Sequence, residues 1–84
     1  MKIYIVSKLD NNCDGALNSI IAVEKSFNVA QKKMKEDVKE LLEEYDLNEE
    51  NVAYYGDKEV EVSNFDEDVN NYVYASYKIE IWDV

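Results

Sequence analysis

The stretch Tyr72-Val73-Tyr74-Ala75-Ser76-Tyr77-Lys78-Ile79-Glu80-Ile81-Trp82 alternates with a period of two. Val73, Ala75, Tyr77, Ile79 and Ile81 fall on one face. Tyr72, Tyr74, Ser76, Lys78, Glu80 and Trp82 fall on the other. That pattern predicts a long strand with one face against a core. Such a strand needs neighbours to pair with and a layer over its apolar face.

Residues 28–45 supply the layer. Ala30, Met34, Val38, Leu41, Leu42 and Tyr45 recur at steps of three and four and make one apolar stripe. Lys32, Lys33, Lys35, Glu36, Lys39, Glu40 and Glu43 fill the polar side. Ser26 or Asn28 can cap the helix by accepting the free N–H groups of its first turn, and Gln31 stands at the capping-box spacing from Asn28. Glu43, Glu44 and Asp46 lie at the C-terminal end, where the helix dipole disfavours anions by about 0.3–1 kcal/mol each. Their presence there points to a use other than helix stability, or to tolerated fraying of the last turn.

The neighbours come from both sides of the helix. Residues 3–7 read as a strand, with Ile3 and Ile5 on one face and Tyr4 and Val6 on the other. Residues 18–24 read as its hairpin partner, across a long polar loop rich in Asn and Asp. After the helix, residues 52–55 and 58–62 flank Gly56-Asp57, which suits a type II′ hairpin turn. Glu59 and Glu61 alternate with Val60 and Val62, so this last segment is expected to be an edge strand with one wet face. The expected fold is α+β: a single antiparallel sheet of four or five strands with one helix on one face, in the order β-β-α-β-β-β. It forms a single domain over residues 1–84.

Composition restricts the function. With 46% hydrophobic residues in periodic runs, the chain is of the globular class despite a net charge of −10. The charge is split. Residues 1–42 carry seven Lys against six acids, whereas residues 43–84 carry two Lys against thirteen. Such an acidic half repels nucleic acid and anionic membrane and attracts basic protein surfaces. No apolar run reaches the ~18–20 residues of a membrane span, and the charged opening is unlike a signal peptide. Cys13 stands alone, which fits a cytoplasmic protein without disulfides. One Cys and no His cannot make a structural zinc site. The absence of His, Arg and any Gly-rich phosphate loop argues against an enzyme, and no cofactor is expected.

Three constellations remain as candidates for function. The first is the acidic set Glu43, Glu44, Asp46, Glu49, Glu50, Asp57, Glu59, Glu61, Asp66, Glu67 and Asp68, whose spaced carboxylates can imitate nucleic-acid phosphates in a basic groove. The second is a sheet face carrying Tyr4, Tyr72, Tyr74 and Trp82, residue types that anchor protein interfaces. The third is the loop from Asp10 to Asn18. Asp10, Asn12 and Asp14 match the first half of a calcium loop, with Gly15 at the sharp turn, but Ile21 stands where the bidentate Glu is needed. No other metal site is expected.

The opening Lys2-Ile3-Tyr4-Ile5-Val6, the segment Ile21-Ala22-Val23-Glu24-Lys25-Ser26 leading into a helix with Ala30, and the ending Tyr77-Lys78-Ile79-Glu80-Ile81-Trp82-Asp83-Val84 together resemble a loose group of short phage and prophage proteins of unknown function. The resemblance covers about half of the chain. Glu24-Lys25 departs from it, standing where the group tends to have an aromatic, and so does the extended acidic segment. The resemblance implies an anti-defence or anti-CRISPR type of role in the cytoplasm of a host cell, by analogy of class, and it carries no functional residue with it. The leading expectation is a non-enzymatic inhibitor that presents Glu43, Glu44, Asp46, Glu49, Glu50, Asp66, Glu67 and Asp68 to a basic, nucleic-acid-binding host or defence protein, anchored by Tyr72 and Trp82. The alternatives are a small-ligand or calcium module built on the 10–18 loop, and a self-associating structural subunit or homodimer that pairs through residues 58–62 or the aromatic face.

Overall fold

The computed structural model describes residues 1–12, 15–64 and 73–84. Five strands and one helix follow in the order β1 (Lys2–Asn12), β2 (Gly15–Glu24), α1 (Phe27–Glu44), β3 (Val52–Tyr55), β4 (Glu59–Ser63) and β5 (Tyr74–Asp83). A single 3₁₀ turn, Glu49–Asn51, precedes β3. The strands form one open antiparallel sheet in the order β2-β1-β5-β4-β3. The last strand therefore lies inside the sheet, inserted between β1 and β4. Its pairing with β1, from Lys2↔Asp83 to Asp10↔Ala75, joins the two ends of the chain. There the Met1 ammonium donates to the Val84 carbonyl at 2.8 Å.

The helix covers one face. Ala30, Met34, Val38, Leu41 and Leu42 are buried against Val6 of β1, Val60 and Val62 of β4, and Ala75, Tyr77 and Ile79 of β5. The alternation in β5 holds through Ile79, but Ile81 is exposed although it lies opposite Tyr4 on the helix side. Tyr45, the last member of the predicted stripe, is also exposed. Ser26 is the N-cap: its Oγ accepts from Val29 N. Gln31 takes no part in the cap. It donates instead to the Asp57 carbonyl at 3.2 Å and ties the helix to the β3–β4 connection.

Four expectations are corrected. The polar loop between the first two strands is short, since the ladder continues to Asn12↔Gly15. The segment containing Val60 and Val62 is not an edge, because β4 pairs with both β3 and β5. Its alternation reports that only one face of the sheet is covered and says nothing about lateral neighbours. Tyr4 lies on the covered face, edge-to-face with Phe27 at 5.7 Å, and Ile3 and Ile5 point to the open face. Opposed residues share a face, so the pairing Val6↔Ile79 fixes this side of β1. The β3–β4 connection is three residues, Tyr55↔Glu59 being the last pair, so the two-residue type II′ turn is not formed.

Gly56 does hold a positive φ of 75°, with nothing within 4 Å of where a Cβ would stand. Gly56→Ala is therefore expected to cost about 1 kcal/mol of backbone strain without a clash, read as a lower urea midpoint at unchanged slope. No helix among the described residues is long and apolar enough to cross a membrane.

Candidate functional site: an acidic shoulder at the helix end

The helix ends in two backbone hydrogen bonds that define its geometry. Leu47 N donates to the Leu42 carbonyl at 2.8 Å, and Asp46 N to the Glu43 carbonyl at 3.4 Å. This is a Schellman termination, completed by Leu47 packing onto the core cluster that contains Leu42. The residue after the cap must be left-handed, a place where Gly is favoured. Here it is Asp46, with φ of 53°. Glu43 and Glu44 occupy the two last helical positions, and no basic residue lies in the last turn. All three acids thus stand at the negative end of the helix dipole.

The chain then turns back into the 3₁₀ helix. Asn48 caps it by accepting from Glu50 N at 2.8 Å, while Asn51 Oδ1 accepts from Asn48 N. Asn51 Nδ2 donates to the Ser63 carbonyl and fixes the turn to β4. Glu49 and Glu50 are held at the N-terminal end of this turn, and Tyr54 Oη donates to Glu49 Oε2 at 3.4 Å. Burial and then the Glu49 carboxylate raise the Tyr54 pKa above its ordinary value.

Five of the proposed partner-binding residues, Glu43, Glu44, Asp46, Glu49 and Glu50, therefore lie within eight positions on one rigid shoulder. All are exposed. Among the described residues, none of them has a Lys within ion-pair distance. Asp66, Glu67, Asp68 and Tyr72 lie outside the described residues. Trp82 is not part of the shoulder. The helix runs in the direction of β1, from Phe27 beside Tyr4 to Asp37 beside Lys8, whereas Trp82 pairs with Ile3 on the open face. It is thus at the opposite end and on the opposite side, with its Nε1 donating to Glu80 Oε2.

The predicted aromatic face is corrected by the same geometry. Tyr74 and Trp82 share the open face but are separated along β5 by Ser76, Lys78 and Glu80. Tyr74 donates to Glu61 Oε1. Bonds from Tyr55 and Tyr74 hold the Glu61 carboxyl below the usual carboxylate range. Of the weak calcium candidates, Asp10 belongs to β1, and its Oδ2 lies 3.6 Å from Lys8 Nζ. Asp14 and Cys13 lie outside the described residues, Asn12 ends β1, and among the described residues no three His, Cys, Asp or Glu are placed to hold a metal ion.

One cluster escaped the reading of the sequence. Beneath the helix, Tyr77 Oη donates to Asp37 Oδ2 at 2.7 Å, and Lys8 Nζ lies 3.3 Å from the same oxygen and 5.5 Å from the Tyr77 ring centre. The Tyr77 hydroxyl is pushed far above its ordinary pKa, first by burial and then by its bond to Asp37. The signal was present: Asp37 is an acid at the border of the apolar stripe, three residues after Met34 and four before Leu41. This network pins the helix to β1 and β5, and its tyrosine is wholly buried.

The Schellman end gives a direct stability test of the shoulder. Asp46→Gly relieves the left-handed strain and removes an anion from the helix end, and it is expected to raise the unfolding free energy by about 1 kcal/mol. Thermal melts of the two proteins check this; an unchanged or lower Tm contradicts it. Comparisons with protein-family models, with curated proteins and with solved structures gave no match.

Proposed function

We propose that the protein is a non-enzymatic binding module whose acidic shoulder engages a basic, nucleic-acid-binding protein and competes with nucleic acid for that surface. The observation that carries this reading is the placement of Glu43, Glu44 and Asp46 at a helix end, where folding alone disfavours all three. Stability sacrificed at a defined surface patch is the usual mark of a functional constraint. The helix carbonyls add to the negative potential of the shoulder, so a cationic groove is attracted more strongly than by the same acids scattered. The phage-type resemblance makes a host or defence protein the target class, with the cytoplasm as the place of action.

The experiment is capture from a lysate of the cells in which the protein acts, with the full chain as bait, at about 0.15 M and about 0.5 M salt. The expected result is a basic nucleic-acid-binding protein retained at the lower salt and lost at the higher. A partner retained equally at both salts overturns the reading, because contacts between exposed charges are screened within about 4–5 Å at the higher salt.

A further inference from the structure

We propose that the chain forms a symmetric dimer by pairing the free edge of β2 with β2 of a second copy, so that the two sheets become one.

The sheet has two edges of very different character. β3 spans four residues between the 3₁₀ turn and the Gly56 connection. β2 spans ten, and among the described residues no strand lies on its outer side. A strand of that length presents a continuous row of unpaired N–H and C=O groups. Proteins usually blunt such an edge with Lys or Pro, yet residues 15–23 contain neither and carry no charge, in a chain that is 33% charged. The one irregularity is the bulge opposite Val6 and Ser7, where Ile21 is the extra residue, and Gly15–Ile20 is regular on its far side.

Apolar side chains are exposed on both sides of this strand. Leu17 lies on the helix side and Ile20 on the open side, each 65% exposed, and Val23 on the open side is 55% exposed. A strand laid alongside covers both sets at once, which a partner resting on the open face alone does not.

The charge distribution selects the occupant. A cationic partner gains at the acidic half of the molecule and finds no charge in residues 15–23 to recognise. The one charged residue within β2, Glu24 at its end, has Lys33 Nζ at 3.9 Å. A second copy, repelled by a net charge of −10 elsewhere, meets no like charge here, and a two-fold contact requires only that each copy bring the same neutral edge. The salt dependence follows: screening the general repulsion strengthens this dimer, opposite in sign to capture of a basic partner by the shoulder. The two readings therefore fail separately.

Sedimentation of the full chain over a range of concentrations, at about 0.05 M and about 0.5 M salt, tests the proposal. The expected result is a concentration-dependent dimer that is tighter at high salt, with amide exchange of residues 17–24 slowing as it forms. Ile20→Glu, at an exposed site, is expected to weaken the dimer at least about tenfold without lowering the Tm read at concentrations where the chain is monomeric. Tyr55→Ser, at an exposed site of β3 on the other edge of the sheet, is expected to leave it unchanged. A monomer at every concentration and salt, a dimer weakened by salt, or a dimer lost in Tyr55→Ser and kept in Ile20→Glu overturns the proposal.

Discussion

Asp37→Ala is expected to lower the unfolding free energy by about 2–4 kcal/mol, a large share of the roughly 4–12 kcal/mol available to a chain of this size. The substitution leaves the buried Tyr77 hydroxyl without an acceptor and deprives Lys8 of the nearer of its two carboxylates, Asp10 remaining at 3.6 Å. A buried donor left unsatisfied costs its full desolvation, which exceeds the value of the hydrogen bond itself. Tyr77→Phe, which removes the donor as well, is expected to cost only about 1–2 kcal/mol, because Asp37 keeps Lys8. The order of the two variants separates a polar network from simple packing; equal losses contradict it.

The same network predicts an alkaline limb. Below about pH 10 the Tyr77 hydroxyl is protonated in both the folded and the unfolded chain, and its contribution is complete. Above that pH the unfolded chain releases the proton while the folded chain, whose pKa is raised, retains it. Stability therefore falls as pH rises, by about 1.4 kcal/mol per pH unit for this one group. Urea midpoints of Tyr77→Phe are expected to fall less steeply over that range than those of the parent protein. Tyr54 and Tyr55 are shifted in the same direction but are exposed, so they leave a smaller limb in the variant.

Changing Glu43, Glu44, Glu49 and Glu50 together to Lys is expected to weaken target binding at least about 100-fold while leaving the fold intact. Each exposed pair contributes about 0.2–1 kcal/mol, and reversal replaces that attraction with repulsion at four positions. Lys at the last helical positions is favoured by the helix dipole, so Glu43→Lys and Glu44→Lys are expected to be neutral or stabilising in isolation. Loss of binding with an unchanged or higher Tm cannot then be assigned to unfolding. Binding that survives the reversal removes the shoulder from the interface.

Much of the fold was legible because periodicity reports burial directly. The stripe from Ala30 to Leu42 and the alternation from Val73 to Ile79 are the two halves of the core, and both were read from spacing alone. What spacing does not contain is lateral order. β4 shows one wet face whether it is an edge or an interior strand, and β1 is apolar on both faces, so spacing does not say which side of the sheet Tyr4 takes. The short β1–β2 connection was hidden by Asn and Asp, which favour turns yet here also occupy strand positions at Asp10, Asn11 and Asn12. Within the candidate site, the cost of Glu43, Glu44 and Asp46 at the helix end was visible in the sequence. The left-handed conformation of Asp46 and the separation of Trp82 from the shoulder are tertiary facts. The Lys8–Asp37–Tyr77 contact joins positions as much as 69 residues apart, so the place of Asp37 at the border of the stripe is legible locally while its partners are not.

The most direct test of the central claim is competition on the captured target. Duplex DNA or RNA is titrated against the complex of that target with the full chain, and the bound fraction of each is followed. Occupation of the nucleic-acid groove predicts mutual exclusion, with the nucleic acid displacing the protein and the protein displacing the nucleic acid. A stable ternary complex, with both bound at undiminished affinity, contradicts it.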